Sequence, residues 1–418
     1  MSSTANTFGT PSNTVGNLNG FFKETYADSL ESLIPDQVVL LNQIKFMPKD
    51  RQPGNLFHSP VVLGLEHGVT FGGSEEDAFS LNPPISGQIR DAQVRGNPIL
   101  LRSLLGYTAA SRAAQGTKQA FVDATKFLVS NMLRSLTKKL EIEMLYGQSG
   151  YGIVSAVSGA DVTISTSEWA PGIWAGAEKM PIEIRDSSGA VSRGEFSVKS
   201  VDFENRKITL TSSAASAGVV ATDVIHHKGA YGKEFIGIHK ILNDQTGDLF
   251  NISRTDYALF RGNKYDAGSA ALSFTKLNNA VARAVEKGFS GELMVLVNPR
   301  AWANMLTDQA ALRRFDGSYN RTKLENGSSA LEFHSQNGSL KIVPSIYVKE
   351  GYAYMLSMEE WERVGSSDVT FKLPGQSDEF FRHLSEQAGF ELRLWSDQAV
   401  FTRAPARNVL IHGIVNAS

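Results

Sequence analysis

"TKQAFVDATKFLVSNMLRSLTKKLEIEMLYGQSGYG", residues 117–152, is the stretch on which the fold turns. Neither Gly nor Pro occurs from Thr117 to Tyr146, and Gly116 and Gly147 stand on either side. Both residue types destabilise helix interiors, so the pattern predicts one unbroken helix with its stop at Gly147. At ~1.5 Å per residue this is a rod of ~45 Å, far longer than the average helix of about three turns. Phe121, Ala124, Leu128, Met132, Leu136, Leu140 and Met144 recur at steps of three or four. Their mean step slightly exceeds 3.6, so the apolar stripe drifts round the rod and meets different neighbours along its length. A coiled coil is the alternative, but no strict a/d heptad persists over four repeats.

On the C-terminal side of the rod, residues 151–229 are β-rich. "GIVSAVSGADVTIS" signals a hairpin around Ser158–Asp161, and turn signals recur at Asp186–Gly189 and Phe203–Lys207. Short strands at regular spacing predict a small barrel or sandwich. From Tyr231 to Asp308 the pattern becomes α/β. "SFTKLNNAVARAVEKG" predicts a helix with Ser273 as N-cap and Gly288 at its end. "ELMVLVNPRAWANML" predicts a buried strand, Leu293–Val297, followed by Asn298 as cap and Pro299 at the first helical position. The last hundred residues alternate strands and short segments.

On the N-terminal side, residues 56–110 read as extended chain. "LFHSPVVLGLEHGVTF" and "DAQVRGNPILLRSLLGYT" form two arms around "GGSEEDAFSLNPPISGQ", whose Gly and Pro residues are turn chemistry. A two-stranded hairpin is marginal alone in water, so it packs either on this chain's own core or over another subunit. Residues 21–47 hold one or two short amphipathic helices broken at Pro35, and "PKDRQPG" is a linker. Residues 1–20, rich in Ser, Thr, Asn and Gly, lack the apolar content for a core of their own.

Composition excludes several function classes. Lys plus Arg number 41 against 43 Asp plus Glu, without the basic excess of a protein that grips DNA phosphates. There is no cysteine, hence no disulfide, thiolate nucleophile or zinc–sulfur site. The N-terminus lacks the pattern of a secretory signal, and the apolar runs are strand-length. No phosphate-binding loop is present: the only Gly-Lys pair is Gly232–Lys233, followed by Glu234. The nearest approach to a G-x-S-x-G elbow is Gly147-Gln148-Ser149-Gly150, one place short. The eight histidines form no chelating spacing, and adjacent His226 and His227 in a strand point to opposite faces. The tryptophans at 169, 174, 302, 361 and 395 read as core anchors. No catalytic residue, cofactor site or metal ligand is expected, and the chain reads as a structural protein, not an enzyme.

The order of the parts, with the wording of "LEHGVTFGG", "DAQVRGNPILLRSLLGY", "SLTKKLEIEMLYGQSG", "VNPRAWANML" and "FELRLWSDQAVFTRAPARNVLIHGI", resembles the major capsid proteins of tailed bacteriophages, the Hong Kong 97 fold. The resemblance covers roughly residues 20–418 and rests on co-occurrence and order. It implies an α+β chain: an N-terminal arm (1–55), an E-loop (56–110), the spine helix of a peripheral domain (111–150), a β-rich insertion (151–229), an axial domain with peripheral-domain strands (230–375) and a C-terminal β return (376–418). It further implies self-assembly through hexamers and pentamers into an icosahedral shell around double-stranded DNA. The implied location is the virion, with assembly in the host cytoplasm. The type member carries a large cleaved scaffolding segment. Only about 55 residues precede the loop here, so the implied partners are a separate scaffolding protein, a portal, in some cases a decoration protein, and packaged DNA contacted weakly. An encapsulin, a cellular shell of the same fold around a cargo enzyme, is the alternative reading; a β-rich hydrolase without a recognisable motif is a distant third.

Overall fold

A computed structural model describes residues 38–48, 55–75, 78–106, 118–307, 331–335, 338–372, 382–383 and 389–416. The expected helices before Pro35, the segment 1–20 and most of the 48–54 linker lie outside these residues. The long helix runs Lys118–Tyr146. Its side chains are described from Phe127 onward, and Leu128, Met132, Leu136 and Leu140 form a buried stripe on an otherwise exposed or half-buried surface. From Leu140 to Gly147 every residue is buried. Along the described side chains the rod passes from a half-exposed surface at Phe127 to the inside of the molecule at Tyr146.

The helix does stop at Gly147, but for a different reason than a left-handed glycine cap. The left-handed residue is Gln148, at φ 64°. Gly147 is required because another glycine passes against it: a Cβ there would sit 2.2 Å from the Phe235 carbonyl oxygen. Gly237 donates its N–H to the Gly147 carbonyl at 3.0 Å. Two side-chain-free residues let the backbones touch.

Strands Phe57–Gly64 and Gln88–Val94 pair antiparallel, with Phe57 opposite Val94. The second arm, one extended segment in the sequence, divides at Arg95 and Gly96. Beyond them Asn97–Gly106 leaves the hairpin and pairs with Gly389–Thr402, from Asn97 opposite Gln398 to Gly106 opposite Gly389. Trp361–Thr370 lies along the other edge of Gly389–Thr402, and this sheet packs on the long helix. The chain's N-terminal approach is fixed here too. Glu141 of the helix accepts the backbone N–H groups of Val39, Leu40 and Leu41 at 2.8–3.0 Å. Arg363 donates from Nε to the Ile44 carbonyl at 2.8 Å.

Residues 152–227 close a six-stranded barrel in the order Gly152–Ser158, Asp161–Ile164, Lys207–Leu210, Ser192–Asp202, Pro181–Arg185, Val224–His227. Its interior is aliphatic: Val162, Ile182, Ile184, Val198, Ile208 and Ile225 are wholly buried. Trp169 and Trp174, also buried, stack at 6.1 Å between the barrel and the rest.

A second sheet of six strands runs in the order Asn263–Ala270, Val409–Ile414, Ala353–Leu356, Leu293–Val297, Gly338–Pro344, Leu331–Ser335. The helix Phe274–Val285 packs on it with its own core, and Pro299–Thr307 follows Leu293–Val297 directly. Ser273 Oγ accepts the Lys276 N–H, and Asn298 Oδ1 accepts that of Arg300 at 2.9 Å, as the capping pattern requires. A buried ion pair joins helix, barrel and sheet: Lys349 Nζ lies 2.7 Å from Glu168 Oε2 and 3.1 Å from the Gly150 carbonyl, while its backbone N–H reaches the Tyr146 hydroxyl. Unpaired, either charge would be costly at such depth.

Candidate assembly surface

The hairpin Phe57–Gly64/Gln88–Val94 is anchored at its base and bare beyond it. At the base, Ala92 and Val94 are buried, Phe57 meets Phe401 edge-on at 5.6 Å, and the Gln93 N–H donates to the Phe250 carbonyl at 2.9 Å. Arg90 Nε donates to the Tyr257 hydroxyl at 3.0 Å. His58 sits 2.6 Å from Asp91 and holds that carboxyl below its ordinary range by hydrogen bonding.

Beyond the base the chain contacts little of itself. The His67 N–H bonds the Ile85 carbonyl at 3.1 Å, and Asn82 bonds Thr70 and Val69. Phe71 is 88% exposed, Leu81 80% and Leu65 75%. Among the described residues, eight of the seventeen exposed large apolar side chains fall between Val62 and Ile89. Such a concentration on one projection marks an interaction surface, whereas scattered exposed apolar residues are ordinary.

The second feature is a cleft of about 610 Å³ between the long helix, the first residues of Asn97–Gly106 and the barrel. Among the described residues, Asn97–Gly106 pairs on one edge only, with Gly389–Thr402. The cleft carries six cations, Arg134, Lys138, Lys139, Lys179, Lys228 and Lys233, against three carboxylates. One carboxylate is already engaged: Glu234 accepts the Gln148 N–H at 3.1 Å and lies 3.5 Å from Lys139. Burial pushes Glu143 up to about 8, so it adds little negative charge near neutrality. Burial also brings Lys138 down to about 8; its Nζ donates to the Ala175 carbonyl. Lys228, paired with Glu195 at 2.6 Å, and Lys233 are exposed at the mouth.

Among the described residues of this surface, none are arranged as a catalytic constellation. Gly147–Gly150 is the turn leaving the helix, with the Ser149 N–H on the Tyr146 carbonyl. His226 and His227 pack against different aromatic rings, Tyr231 and Tyr151. His239 is half-buried, with Nδ1 2.9 Å from the Tyr354 hydroxyl, and desolvation pulls it down to about 3. Among the described residues, no group of three or more His, Asp or Glu side chains is placed to hold a metal ion. Trp169, Trp174 and Trp361 are buried, while Trp302 and Trp395 are half-buried.

No family model matches the chain, and no curated protein is similar to it in sequence. Solved structures are similar to it in fold. The capsid asymmetric unit of cyanophage A-1(L) superposes with TM-score 0.53 at 12% identity, covering 96% of this chain and 98% of that one. The capsid of a native GTA particle gives 0.50 at 10% identity, with coverage of 97% and 100%. An encapsulin complex from Synechococcus elongatus gives 0.41 at 8% identity, with 93% and 92% covered. The first two span both chains nearly end to end. The chain has the α+β Hong Kong 97-type capsid fold.

Proposed function

We propose that this chain is the major capsid protein of a tailed bacteriophage and builds an icosahedral shell from many copies of itself. The observation that carries the reading is the bare, apolar hairpin projecting from an otherwise well-packed chain of capsid fold. Exposed apolar area of this kind is stabilised when another surface covers it, and closed symmetry lets every copy be both donor and receiver. The near-balanced charge, 41 basic against 43 acidic residues, suits a wall that encloses packed DNA while gripping it weakly.

The reading extends to hexamers and pentamers as building units, with a separate scaffolding protein, a portal and, in some shells, a decoration protein as partners. The place of action is the virion, after assembly in the host cytoplasm. The six segments named from the sequence, from arm to C-terminal return, are the proposed domains. The role is structural, with no turnover. Electron microscopy of the purified chain tests it: closed shells with five- and six-fold capsomers are expected. A monodisperse monomer that turns over a substrate would overturn the reading, and shells that copurify with a cargo enzyme instead of DNA would move it to an encapsulin.

A further inference from the structure

We propose that the basic cleft binds a small amphipathic anion, with an acidic head group on Lys138 and an aliphatic body along Leu100, Ile142, Ile173 and Met180. The site is independent of the shell reading. Helix periodicity builds one wall: Asn131, Ser135, Lys138 and Ile142 recur at steps of four, three and four, and all four line the cleft. Across from them stand Leu100, which is exposed, Ile173 of the short helix Pro171–Trp174, and Met180 at the head of the strand Pro181–Arg185. The enclosed volume, about 610 Å³, is that of a small-molecule site, where apolar walls surround a few placed polar groups. Tyr151 is already covered by Lys139, whose Nζ lies 4.6 Å from the ring centroid. The walls left open are therefore aliphatic.

Charge selects an anion. Lys139 and Lys228 already face carboxylates, Glu234 at 3.5 Å and Glu195 at 2.6 Å. Lys138 does not: half-buried, it donates from Nζ to the neutral Ala175 carbonyl, and Glu178 acts on it without a hydrogen bond. A desolvated cation without a counter-charge is unfavourable, and an acidic head group seated against it supplies one. Little nearby repels such a group, because burial keeps Glu143 largely protonated near neutrality. Glu143 is 2% exposed, and its Oε2 has no hydrogen-bond partner among the described residues. A protonated carboxyl in that state has an O–H to donate, and an anionic oxygen accepts it.

Calorimetric titration of the purified chain with octanoate tests the site. Saturation at one octanoate per chain is expected. Octanol, which lacks the charge, and acetate, which lacks the body, should each bind about tenfold more weakly or worse. Lys138→Met keeps an apolar stem and removes the charge, so it should weaken octanoate about tenfold, while Lys138→Arg retains most of the affinity. Leu100→Ser changes an exposed wall residue and should weaken octanoate severalfold. Phe71→Ser with Leu81→Ser should leave binding unchanged, which separates the cleft from the bare hairpin. Circular dichroism of each variant separates lost folding from lost binding. No saturable binding of octanoate, equal binding of octanol, or full affinity in folded Lys138→Met would each overturn the proposal. Loss of binding in the hairpin variant with full binding in Leu100→Ser would overturn it too. The shell reading stands or falls separately, on the micrographs.

Discussion

The barrel and the hairpin are built from the same material, short alternating strands with Gly-rich turns, yet they end in opposite states. In the barrel, six strands close on themselves, so no edge remains and Ile182, Ile184 and Ile225 lose all solvent contact. In the hairpin, among the described residues, two strands pair only with each other, and Leu65, Phe71 and Leu81 stay bare. A two-stranded ribbon cannot bury both faces, whereas a closed sheet can. The barrel is completed by its own chain; in the proposed shell the hairpin is completed by another. On that reading, stability of the isolated subunit and competence to assemble reside in different residues.

The largest expected effect lies on the barrel side. Trp174→Ala removes a wholly buried ring stacked on Trp169 and should cost about 3–5 kcal/mol. Denaturant unfolding of unassembled subunits should show the midpoint fall sharply; an unchanged midpoint would mean that the barrel junction is not part of the cooperative core.

Next comes pH, acting through the buried end of the long helix. Burial raises Glu141 from 4.5 to about 7 and Glu143 to about 8. Between those values and 4.5 the folded chain binds protons that the unfolded chain releases. Stability is therefore greatest below pH 4.5 as far as these two groups decide it, and is lost as pH rises through 7 and 8. Each group contributes a slope of at most about 1.4 kcal/mol per pH unit. Glu143→Gln should flatten the upper part of the loss, measured as unfolding midpoints from pH 5 to 9. A slope that does not change in the variant would refute the assignment.

A smaller effect on folding should accompany a large effect on assembly at the hairpin. Phe71→Ser with Leu81→Ser alters side chains that touch little of their own chain, so the subunit midpoint should move by less than about 0.5 kcal/mol. Closed particles should nevertheless disappear in light scattering and micrographs. Hydrogen exchange offers the complementary measurement: the hairpin tip unprotected in subunits and slow in shells, the barrel equally slow in both. Equal protection of the tip in both states would erase the distinction between the two regions.

What was legible in the sequence follows local chemistry. The helix read from Thr117 to Tyr146 is Lys118–Tyr146, because absence of Gly and Pro and a recurring apolar step are local signals. The caps at Ser273 and Asn298 were legible for the same reason. The reason for Gly147 was not, since Gly237 lies ninety residues away in sequence and only the fold brings them together. The division of the second arm at Gly96 was hidden likewise: the partner of Asn97–Gly106 is Gly389–Thr402, nearly three hundred residues on. Of the candidate surface, the hairpin's turn chemistry could be read, while its bareness depends on what fails to pack against it. The cleft could not be read at all, because its walls come from residues 98–101, 131–143 and 151–234. Buried charges such as Lys349 are invisible in one dimension for a similar reason; Glu168 is its partner only in space.

The smallest expected effect is none, and it concerns how the hairpin is held once covered. In shells of the resembled family's type member, a lysine of this loop joins a neighbouring asparagine in an isopeptide bond. Attack on an amide carbonyl needs an unprotonated amine. Residues 56–105 contain no lysine, and the cations there are Arg90, Arg95 and Arg102, which stay protonated. Arg90 is moreover engaged with Tyr257, and Arg102 with Glu391 at 2.9 Å. In the proposed shell the hairpin is therefore held by non-covalent contacts, many weak interfaces closed by symmetry. Mature particles boiled in detergent should release a single band at the chain mass of 45.5 kDa. A ladder of pentamer- and hexamer-sized bands surviving the treatment would show that a lysine outside the hairpin completes the bond, and that the loop is locked instead of merely covered.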